Sequence, residues 1–394
     1  SGLAGNSASA SAAVSARMQW DGLLLTLLGI KVPDWMCQLP VTGEKESEMK
    51  LMRVGVDLAK NVFQVHGVDR QEKPVWCRRL SRKDWLKRLL ETVEPGCEIG
   101  MESCSGAHHW ARQLQQQSFT VKLIAPQFVK PYVKSNKNDV NDAEAICEAM
   151  SRPSMRFVAV KSVEQQDIQA VHRVRSELLR QRTAKANQIR GLLSEYGIVV
   201  PVGIGTLRRA IPEIQEDTEN GLSCLFRRLL SGLRQDLETF DTRIAELDAE
   251  IVQAALSDET VQRLQSIPGI GPMTATALVA AVGDARQFAR GRDLSASLGL
   301  TPGQHSSGGK ERLLGITKHG DCYLRTLLVH GARAVLKGAA RKDDPRSRWV
   351  MSVAHRRHKN VAAVALANKM ARIAWALLTR GGTYDSRHGM TAAA

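Results

Sequence analysis

Cysteine is scarce in this sequence, and its placement excludes several classes of site. Seven cysteines are scattered over 394 residues, at positions 37, 77, 97, 104, 147, 224 and 322, without a C-x-x-C pair. An odd and unclustered set argues against a disulfide framework and against a zinc ribbon. We therefore expect a cytoplasmic protein whose cysteines stay reduced.

Long hydrophobic runs and nucleotide-binding loops are also missing. The one uninterrupted apolar run is GLLLTLLGI, residues 22–30, well below the roughly 20 residues that a spanning helix needs. The chain has no G-x-x-x-x-G-K-[ST] string, which argues against an ATP-driven motor. We expect neither a membrane span nor an ATPase.

Acidic residues are outnumbered by basic ones. The formal net charge is +15, and residues 301–394 hold 17 Lys and Arg against 5 Asp and Glu. Such a balance favours a polyanionic partner such as nucleic acid. A run of charge is often only a solvated face, so charge alone leaves that partner open.

The first 48 residues differ from the rest in composition. They begin SGLAGNSASASAAVSAR, which is low in complexity, and Met49 stands just before a strand pattern. We expect residues 1–48 to be a disordered leader or extension and the fold to start near Met49, with a cleaved signal peptide as the rival interpretation.

The remaining chain predicts an α/β domain followed by all-α regions. Residues 49–160 alternate strands and helices, which indicates a mixed sheet with helices on its faces. Residues 161–257 predict two long helices, the second with apolar residues every three or four positions from Leu230 to Ile251. That spacing is typical of a coiled-coil seam, which we expect to form a hairpin arm used in dimerisation. Residues 258–394 predict a helical C-terminal domain.

Four carboxylates fall on three elements of the α/β domain. Asp57 and Glu102 each end a predicted strand, and Asp139 and Asp142 share one face of a predicted helix. Like charges at that helical spacing are destabilising unless a cation lies between them. Two Mg²⁺ ions could neutralise the four acids and promote in-line displacement at a phosphate. Taken singly, each acid is more often a surface residue or a helix cap.

The stretch QHSSGGK, residues 304–310, predicts a flexible loop with two serines. Ser306 or Ser307 could attack a phosphodiester if basic side chains held the phosphate, although most Ser-Gly loops are linkers. His319 is expected to contact phosphate or to be structural. We expect these residues to contact a nucleic-acid backbone: Lys130, Lys134, Lys137, Lys310, Arg312, Lys318, Arg346, Arg348, Arg356 and Arg357.

A Pro-Gly-Ile-Gly turn joins two predicted helices within residues 264–284. The pattern resembles a helix-hairpin-helix, in which Gly269 and Gly271 would present backbone N–H groups to a phosphate. A plain corner between two helices is the alternative.

The ordered set of motifs resembles a known family from about Met49 to the C-terminus. The motifs are VGVDLAK, MESCSG, KNDVNDAEA, SIPGIGPMTA, LGLTP, HSSGGK and KHG before a basic helical tail. Together they resemble the DEDD transposases of the insertion-sequence family that includes Piv-like invertases and bridge-RNA-guided recombinases. The leader before Met49 has no counterpart in that pattern.

The resemblance implies a RuvC-like, RNase H-type domain whose tetrad is Asp57, Glu102, Asp139 and Asp142 and binds Mg²⁺ or Mn²⁺. It implies that Ser307, with Ser306 one residue away, becomes covalently joined to DNA. It also implies a dimer or tetramer and a structured bridge RNA that pairs with target and donor DNA, acting at the bacterial nucleoid. Base pairing would then select sequence while the protein recognises backbone and shape.

Two other functions remain open on the residues alone. A metal-dependent nuclease of the Holliday-junction type needs only the four acids, and a non-catalytic nucleic-acid-binding scaffold needs none of them. A Ser307→Ala variant would distinguish the recombinase from the nuclease, because only the recombinase needs that hydroxyl.

Overall fold

The computed structural model describes residues 50–134 and 138–386. The predicted leader, the apolar run at 22–30 and Lys137 lie outside the described residues. The division at residues 160 and 257 stays a prediction.

A mixed six-stranded sheet organises the N-terminal part, as the alternating pattern predicts. Its spatial order is β3-β2-β1-β4-β5-β6. The first three strands are antiparallel neighbours, β4 and β5 run parallel to β1, and β6 is antiparallel to β5. The strand bounds are β1 Arg53–Leu58, β2 Val62–Val68, β3 Pro74–Ser81, β4 Glu98–Glu102, β5 Thr120–Ile124 and β6 Phe157–Val158.

Helices cover both faces of this sheet. The helices α1 (Trp85–Thr92) and α2 (Ala107–Gln116) bury apolar side chains against Val54, Val56 and Met101 on one face. On the other face lie α3 (Pro126–Val129) and α4 (Asp139–Met150), whose core includes Ile124 and Ile146. This three-layer arrangement is consistent with the RNase H-like domain expected from the motifs.

The middle of the chain forms a helical arm. Helix α5 (Val163–Ser194) packs along α7 (Cys224–Ser257), and Leu230, Leu237, Ile244 and Ile251 of the predicted seam are buried. Cross-helix ion pairs such as Arg182 with Asp241, at 2.9 Å, flank the seam. The seam is therefore covered by the chain's own helix, so the expectation that it needs a second subunit as partner loses its basis.

The connection between the two long helices is also more ordered than expected. The Gly and Pro residues there predict a broken segment, but α6 (Ile204–Glu216) forms with Pro212 inside it. Its buried Leu207 and Ile211 belong to the same apolar cluster as Leu230 of α7. Tertiary packing thus outweighs the local cost of proline.

The C-terminal region is helical with one exception. Its helices are α8 Glu259–Gln265, α9 Pro272–Val282, α10 Gly291–Ser297, α11 Cys322–Ala339, α12 Pro345–Arg356 and α13 Lys359–Arg380. The exception is a two-stranded antiparallel hairpin, β7 (Pro302–Gln304) and β8 (Leu313–Ile316), so the expectation of a purely helical region was wrong.

Helix α13 lies at the centre of the C-terminal core. By length and composition it is apolar enough to cross a membrane, the one such helix in the described part of the chain. Its Ala362, Leu366, Met370 and Ala374 are fully buried among the neighbouring helices. Core packing therefore accounts for the apolar residues on this buried face.

A buried histidine connects the arm to the C-terminal region. His172 of α5 hydrogen-bonds through Nδ1 to Tyr323 Oη and through Nε2 to Thr276 Oγ1, each at 2.9 Å. Burial, with a smaller contribution from Arg175, lowers the pKa of His172 to about 4. The imidazole is thus neutral near pH 7 and joins three helices.

Candidate functional site

Asp57 and Glu102 lie at the same end of two adjacent strands. Strands β1 and β4 are parallel, and their last paired residues are Val56 and Met101. Each acid is the next residue along its strand and is half-buried. The first and fourth strands are thus direct neighbours in the sheet.

A pair of glycines shows which face of the sheet carries these acids. Gly55 is paired with Gly100. Asp57 follows Gly55 by two residues and Glu102 follows Gly100 by two, so all four residues lie on the same face of the sheet. A Cβ on Gly55 would lie 2.3 Å from the Ala143 carbonyl oxygen. A Cβ on Gly100 would lie 2.0 Å from Met150 Sδ. Helix α4 therefore lies directly on this face.

Helix α4 carries Asp139 and Asp142 in its first turn. Asn138 caps the helix, and its side chain accepts a hydrogen bond from the Val140 amide at 3.3 Å. Both aspartates lie on the helical stripe that continues as Ile146 toward the core. Asp142 is half-buried and Asp139 is exposed. A helix N-terminus favours negative charge, so it compensates part of their repulsion without a cation.

The four acids do not all converge in the described residues. No three or more His, Cys, Asp or Glu side chains among them are grouped closely enough to hold a metal ion. The two strand-terminal acids do share a neighbourhood. Burial first, then the charges of Glu102 and Asp57, raises the pKa of the Cys104 thiol. Both carboxylates thus act on one thiol from adjacent strands.

Cys104 and Gln64 border this site and were missed by the sequence reasoning. Cys104 follows Glu102 by two residues, and Gln64 is the cross-strand partner of Asp57 on β2 and is 8% exposed. The alternation of β2 could have placed Gln64 on the Asp57 face, since cross-strand partners share a face. Nothing in the pattern marks Cys104 beyond its closeness to Glu102.

The predicted lysines near α4 differ in their surroundings. Lys134 Nζ lies 2.8 Å from Glu144 and 3.3 Å from Glu148, and hydrogen bonds to these carboxylates raise its pKa. Lys130 is exposed. Lys134 therefore already has anionic partners within the protein, which would compete with a phosphate.

The two serines of the SSGG motif occupy the tip of the β7–β8 hairpin. Lys310 donates its backbone amide to the Ser307 carbonyl at 3.1 Å, across Gly308 and Gly309 at φ of 56° and 76°. Positive φ at both central residues is the pattern of a type I′ hairpin turn, which glycine favours. The predicted flexible loop is thus a defined turn.

The two hydroxyls at this tip have different environments. Ser306 Oγ accepts hydrogen bonds from the Gln304 side chain at 2.9 Å and from the Arg312 amide at 3.3 Å. Within the described ranges, Ser307 Oγ has no hydrogen-bond partner, and Ser307 is exposed. Ser306 therefore fixes the hairpin, while Ser307 presents its hydroxyl to the surface.

The remaining predicted basic contacts fall into two groups. Six are exposed on the hairpin or around α12 and suit contact with a backbone: Lys310, Arg312, Lys318, Arg348, Arg356 and Arg357. Arg346 differs, because it is 5% exposed. His319 is exposed, and its backbone packs closely against Gly299.

The Pro-Gly-Ile-Gly turn joins α8 to α9 as predicted, but its glycines have different roles. A Cβ on Gly269 would lie 2.8 Å from Val335 Cγ2 and 2.9 Å from the Gly331 carbonyl oxygen. Gly269 thus permits close packing on α11. Gly271 is exposed with open space around it, so it is the one of the two that could face a phosphate.

Comparison with known proteins supports the resemblance given by the motifs. Residues 54–198 match the DEDD model for IS110 described as "Transposase", and residues 261–347 match the model described as "Transposase IS116/IS110/IS902 family". The chain is 53% identical over 340 residues to a "Probable family 20 transposase" of Pseudomonas aeruginosa, covering 85% of this chain and 99% of that one.

Two further relatives are named for their insertion sequences. The chain is 47% identical to the "Transposase for insertion sequence element IS1111A" of Coxiella burnetii, over 88% of this chain and 95% of that one. It is 44% identical to the "Transposase for insertion sequence element IS1328" of Yersinia enterocolitica, over 84% and 98%. The chain therefore belongs to the IS116/IS110/IS902 family of insertion-sequence transposases, which cut and transfer DNA strands.

Proposed function

We propose that this transposase divides its chemistry between the acidic end of the sheet and the serine at the hairpin tip. The observation that carries the proposal is the pairing of Gly55 with Gly100. It sets Asp57 and Glu102 side by side on the face that α4 covers. Ser307 supplies the second group from the C-terminal region.

The DEDD family depends on a divalent metal ion, and the strand-terminal acids fit one. Mg²⁺ is usually bound by one or two carboxylates together with waters and substrate phosphates. Asp57 and Glu102 would hold the ion, and Asp139 and Asp142 in the first turn of α4 are the candidates to complete its coordination. A metal ion here would polarise a phosphate and lower the pKa of a bound water or hydroxyl. We propose Mg²⁺, with Mn²⁺ as the alternative.

Ser307 is the proposed nucleophile. Its Oγ would attack a DNA phosphorus, form the serine–phosphate bond and lose its proton, while the bond to the leaving sugar oxygen breaks and that oxygen takes up a proton. The Ser307 hydroxyl suits this role because it is exposed and has no hydrogen-bond partner in the described part of the chain. Ser306 does not, because its oxygen already accepts two hydrogen bonds within the hairpin.

Basic side chains would hold the nucleic acids around these two sites. Lys130 and Lys137 flank the segment before α4, with Lys134 available where its ion pairs open. Lys310 and Arg312 flank the proposed nucleophile. We further propose that a structured bridge RNA selects target and donor DNA, and that the protein works as a homo-oligomer in the bacterial cytoplasm, at the nucleoid. A net charge of +15 supports binding of two nucleic acids.

A covalent-adduct assay tests the separate roles of the serine and of the acidic residues. The purified protein with its co-purified RNA is incubated with DNA that carries the element's ends, and protein–DNA adducts are separated on a denaturing gel. We expect Ser307→Ala to abolish the adduct and Ser306→Ala to keep it. Asp57→Asn and Glu102→Gln should abolish cleavage and adduct together.

Three results would contradict the proposal. Cleavage without an adduct, unchanged by Ser307→Ala, would favour the metal-dependent junction nuclease. An adduct that survives Ser307→Ala but not Ser306→Ala would move the nucleophile by one residue. Sequencing of the co-purified RNA tests whether a bridge RNA guides the reaction. If recombination is intact and no discrete RNA is found, the proposed guide RNA is rejected.

A further inference from the structure

A large basic cleft opens beside the serine hairpin. It has a volume of about 1820 Å³ and lies between α10, α12, α13 and the hairpin, with Pro302, Leu314 and Ile316 forming the hairpin wall. Among the described residues, eight Lys and Arg side chains line it and one acidic side chain, Asp385. The cleft is larger than the roughly 300–1,000 Å³ typical of small-molecule sites. Its size and charge suit a segment of a polyanion.

Arg346 is the buried cation of this cleft. Its side chain is 5% exposed, and its Nε and Nη1 have no hydrogen-bond partner among the described residues. Its Cζ lies 5.5 Å from the centre of the Tyr384 ring, which covers part of the charge. A buried charge costs several kcal/mol unless it is paired and hydrogen-bonded. Arg346 thus has two donors ready for an anion.

The carboxylate two residues before Arg346 does not satisfy its guanidinium. Asp344 Oδ1 lies 3.9 Å from Arg346 Nε, beyond hydrogen-bond distance. Both oxygens of Asp344 are engaged by Ser347, whose amide donates at 3.1 Å and whose hydroxyl donates at 2.5 Å. Asp344 therefore caps α12 and gives Arg346 a long ion-pair contact without a hydrogen bond.

Other cations crowd the same place. Burial first, then the charges of Arg346 and Arg372, lowers the pKa of Lys369. Lys369 Nζ lies 4.5 Å from the centre of the Trp349 ring. Arg346, Lys369 and Arg372 repel one another, and an anion bound among them would attract all three.

We propose that this cleft seats a nucleic-acid strand, with one backbone phosphate bound by Arg346 and Lys369. This inference rests on the proposed function, because it supplies the strand that Ser307 attacks. The hairpin that forms one wall of the cleft carries Ser307 at its tip, so a strand in the cleft would be led toward the nucleophile. Arg346 is then a binding residue, and the exposed arginines of α12 are peripheral.

The test measures binding rather than cleavage. The full-length protein is titrated with a fluorescein-labelled single strand of DNA, its RNA counterpart and the DNA duplex, at several salt concentrations. We expect Arg346→Met and Lys369→Met each to weaken binding about tenfold and to reduce the slope of log affinity against log salt by about 1. The strand type with the larger loss identifies the occupant.

Arg341→Met is the matched control. Arg341 lies four residues before the start of the same helix, is exposed and does not line the cleft. We expect its loss of affinity to be much smaller than that of the Arg346 variant. Equal losses in the two variants, or unchanged binding in Arg346→Met and Lys369→Met, would overturn the proposal.

Thermal unfolding separates binding from structure. The oligonucleotide should raise the Tm of the wild type and of Ser307→Ala, but not that of Arg346→Met. Without nucleic acid, Arg346→Met should not lower the Tm, because the cost of burying this charge without hydrogen bonds to Nε and Nη1 offsets its long contact with Asp344. A marked fall in that Tm would make Arg346 a structural residue and reject the proposal. So would equal stabilisation by free inorganic phosphate. Wild-type binding without any adduct would instead count against the catalytic proposal alone.

Discussion

The contact between α4 and β1 should tolerate no side chain at Gly55. In a Gly55→Ala variant the new Cβ would lie 2.3 Å from the Ala143 carbonyl oxygen and 2.6 Å from the Cys147 amide nitrogen. Normal contacts are about 3.5 Å, so α4 would have to move by about 1 Å. Overpacking costs about 1–3 kcal/mol, and backbone atoms cannot rotate away. We expect a loss of about 3 kcal/mol in the free energy of unfolding.

Gly100→Ala is the matched control on the paired residue of β4. Its Cβ would meet Met150 Sδ, the flexible part of a side chain, at 2.0 Å. Because methionine can change rotamer, we expect a cost of about 1 kcal/mol. The difference between the two variants in free energy of unfolding then measures how rigid the α4 backbone is.

The same pair tests whether the position of α4 matters for catalysis. A misplacement of about 1 Å near reacting groups can cost about 100-fold in rate. Urea unfolding gives the stability of each variant, and DNA strand cleavage gives its activity. We expect Gly55→Ala to lose about 100-fold in cleavage, and Gly100→Ala to stay within a few-fold of the wild type. A Gly55→Ala protein as stable and active as the wild type would refute the reasoning.

Two further predictions concern the arm and its connection to the C-terminal region. Leu237→Ala should cost about 2–5 kcal/mol in urea unfolding, because Leu237 is 2% exposed in the seam, whereas Leu229→Ala, at a residue 54% exposed, should cost little. His172 has a folded pKa of about 4, so as pH falls from about 6.5 toward 4 only the unfolded state gains its proton and stability falls, by at most about 3 kcal/mol. His172→Leu should flatten that fall and the exposed His330→Gln should not; an unchanged pH slope in His172→Leu would contradict the assignment.

Local patterns predict most of the N-terminal fold because the central strands β1, β2 and β4 are short and largely buried. The run VFQVHGV, in which Gln64 and His66 alternate with apolar residues, forms β2 over Val62–Val68. The two-residue β6 could not be predicted, because a pair of residues carries no periodicity. The close approach of α4 at Gly55 was equally hidden, since it depends on which helix lies above the strand.

The arm shows why a pattern predicts an apolar seam but not its partner. A spacing of three and four residues requires that Leu237 and Ile244 be covered by another helix. It does not say whether that helix belongs to the same chain, and here it is α5. The basic residues of α12 have the same ambiguity. Arg346 and Arg348 are two positions apart, so they point to nearly opposite sides of the helix, and only packing decides which is buried.

The four acids of the proposed metal site are unequal in how firmly they are placed. Asp57 and Glu102 end paired strands at the centre of the sheet, so the ladder between β1 and β4 fixes their separation. Asp139 and Asp142 stand on the first turn of a helix, where backbone hydrogen bonds are fewest. We infer that the strand pair would set the position of the metal and that the helix pair would complete its coordination once a DNA phosphate is bound. On that reasoning Asp57→Asn should remove metal binding in the absence of DNA, whereas Asp139→Asn should weaken it only when DNA is present.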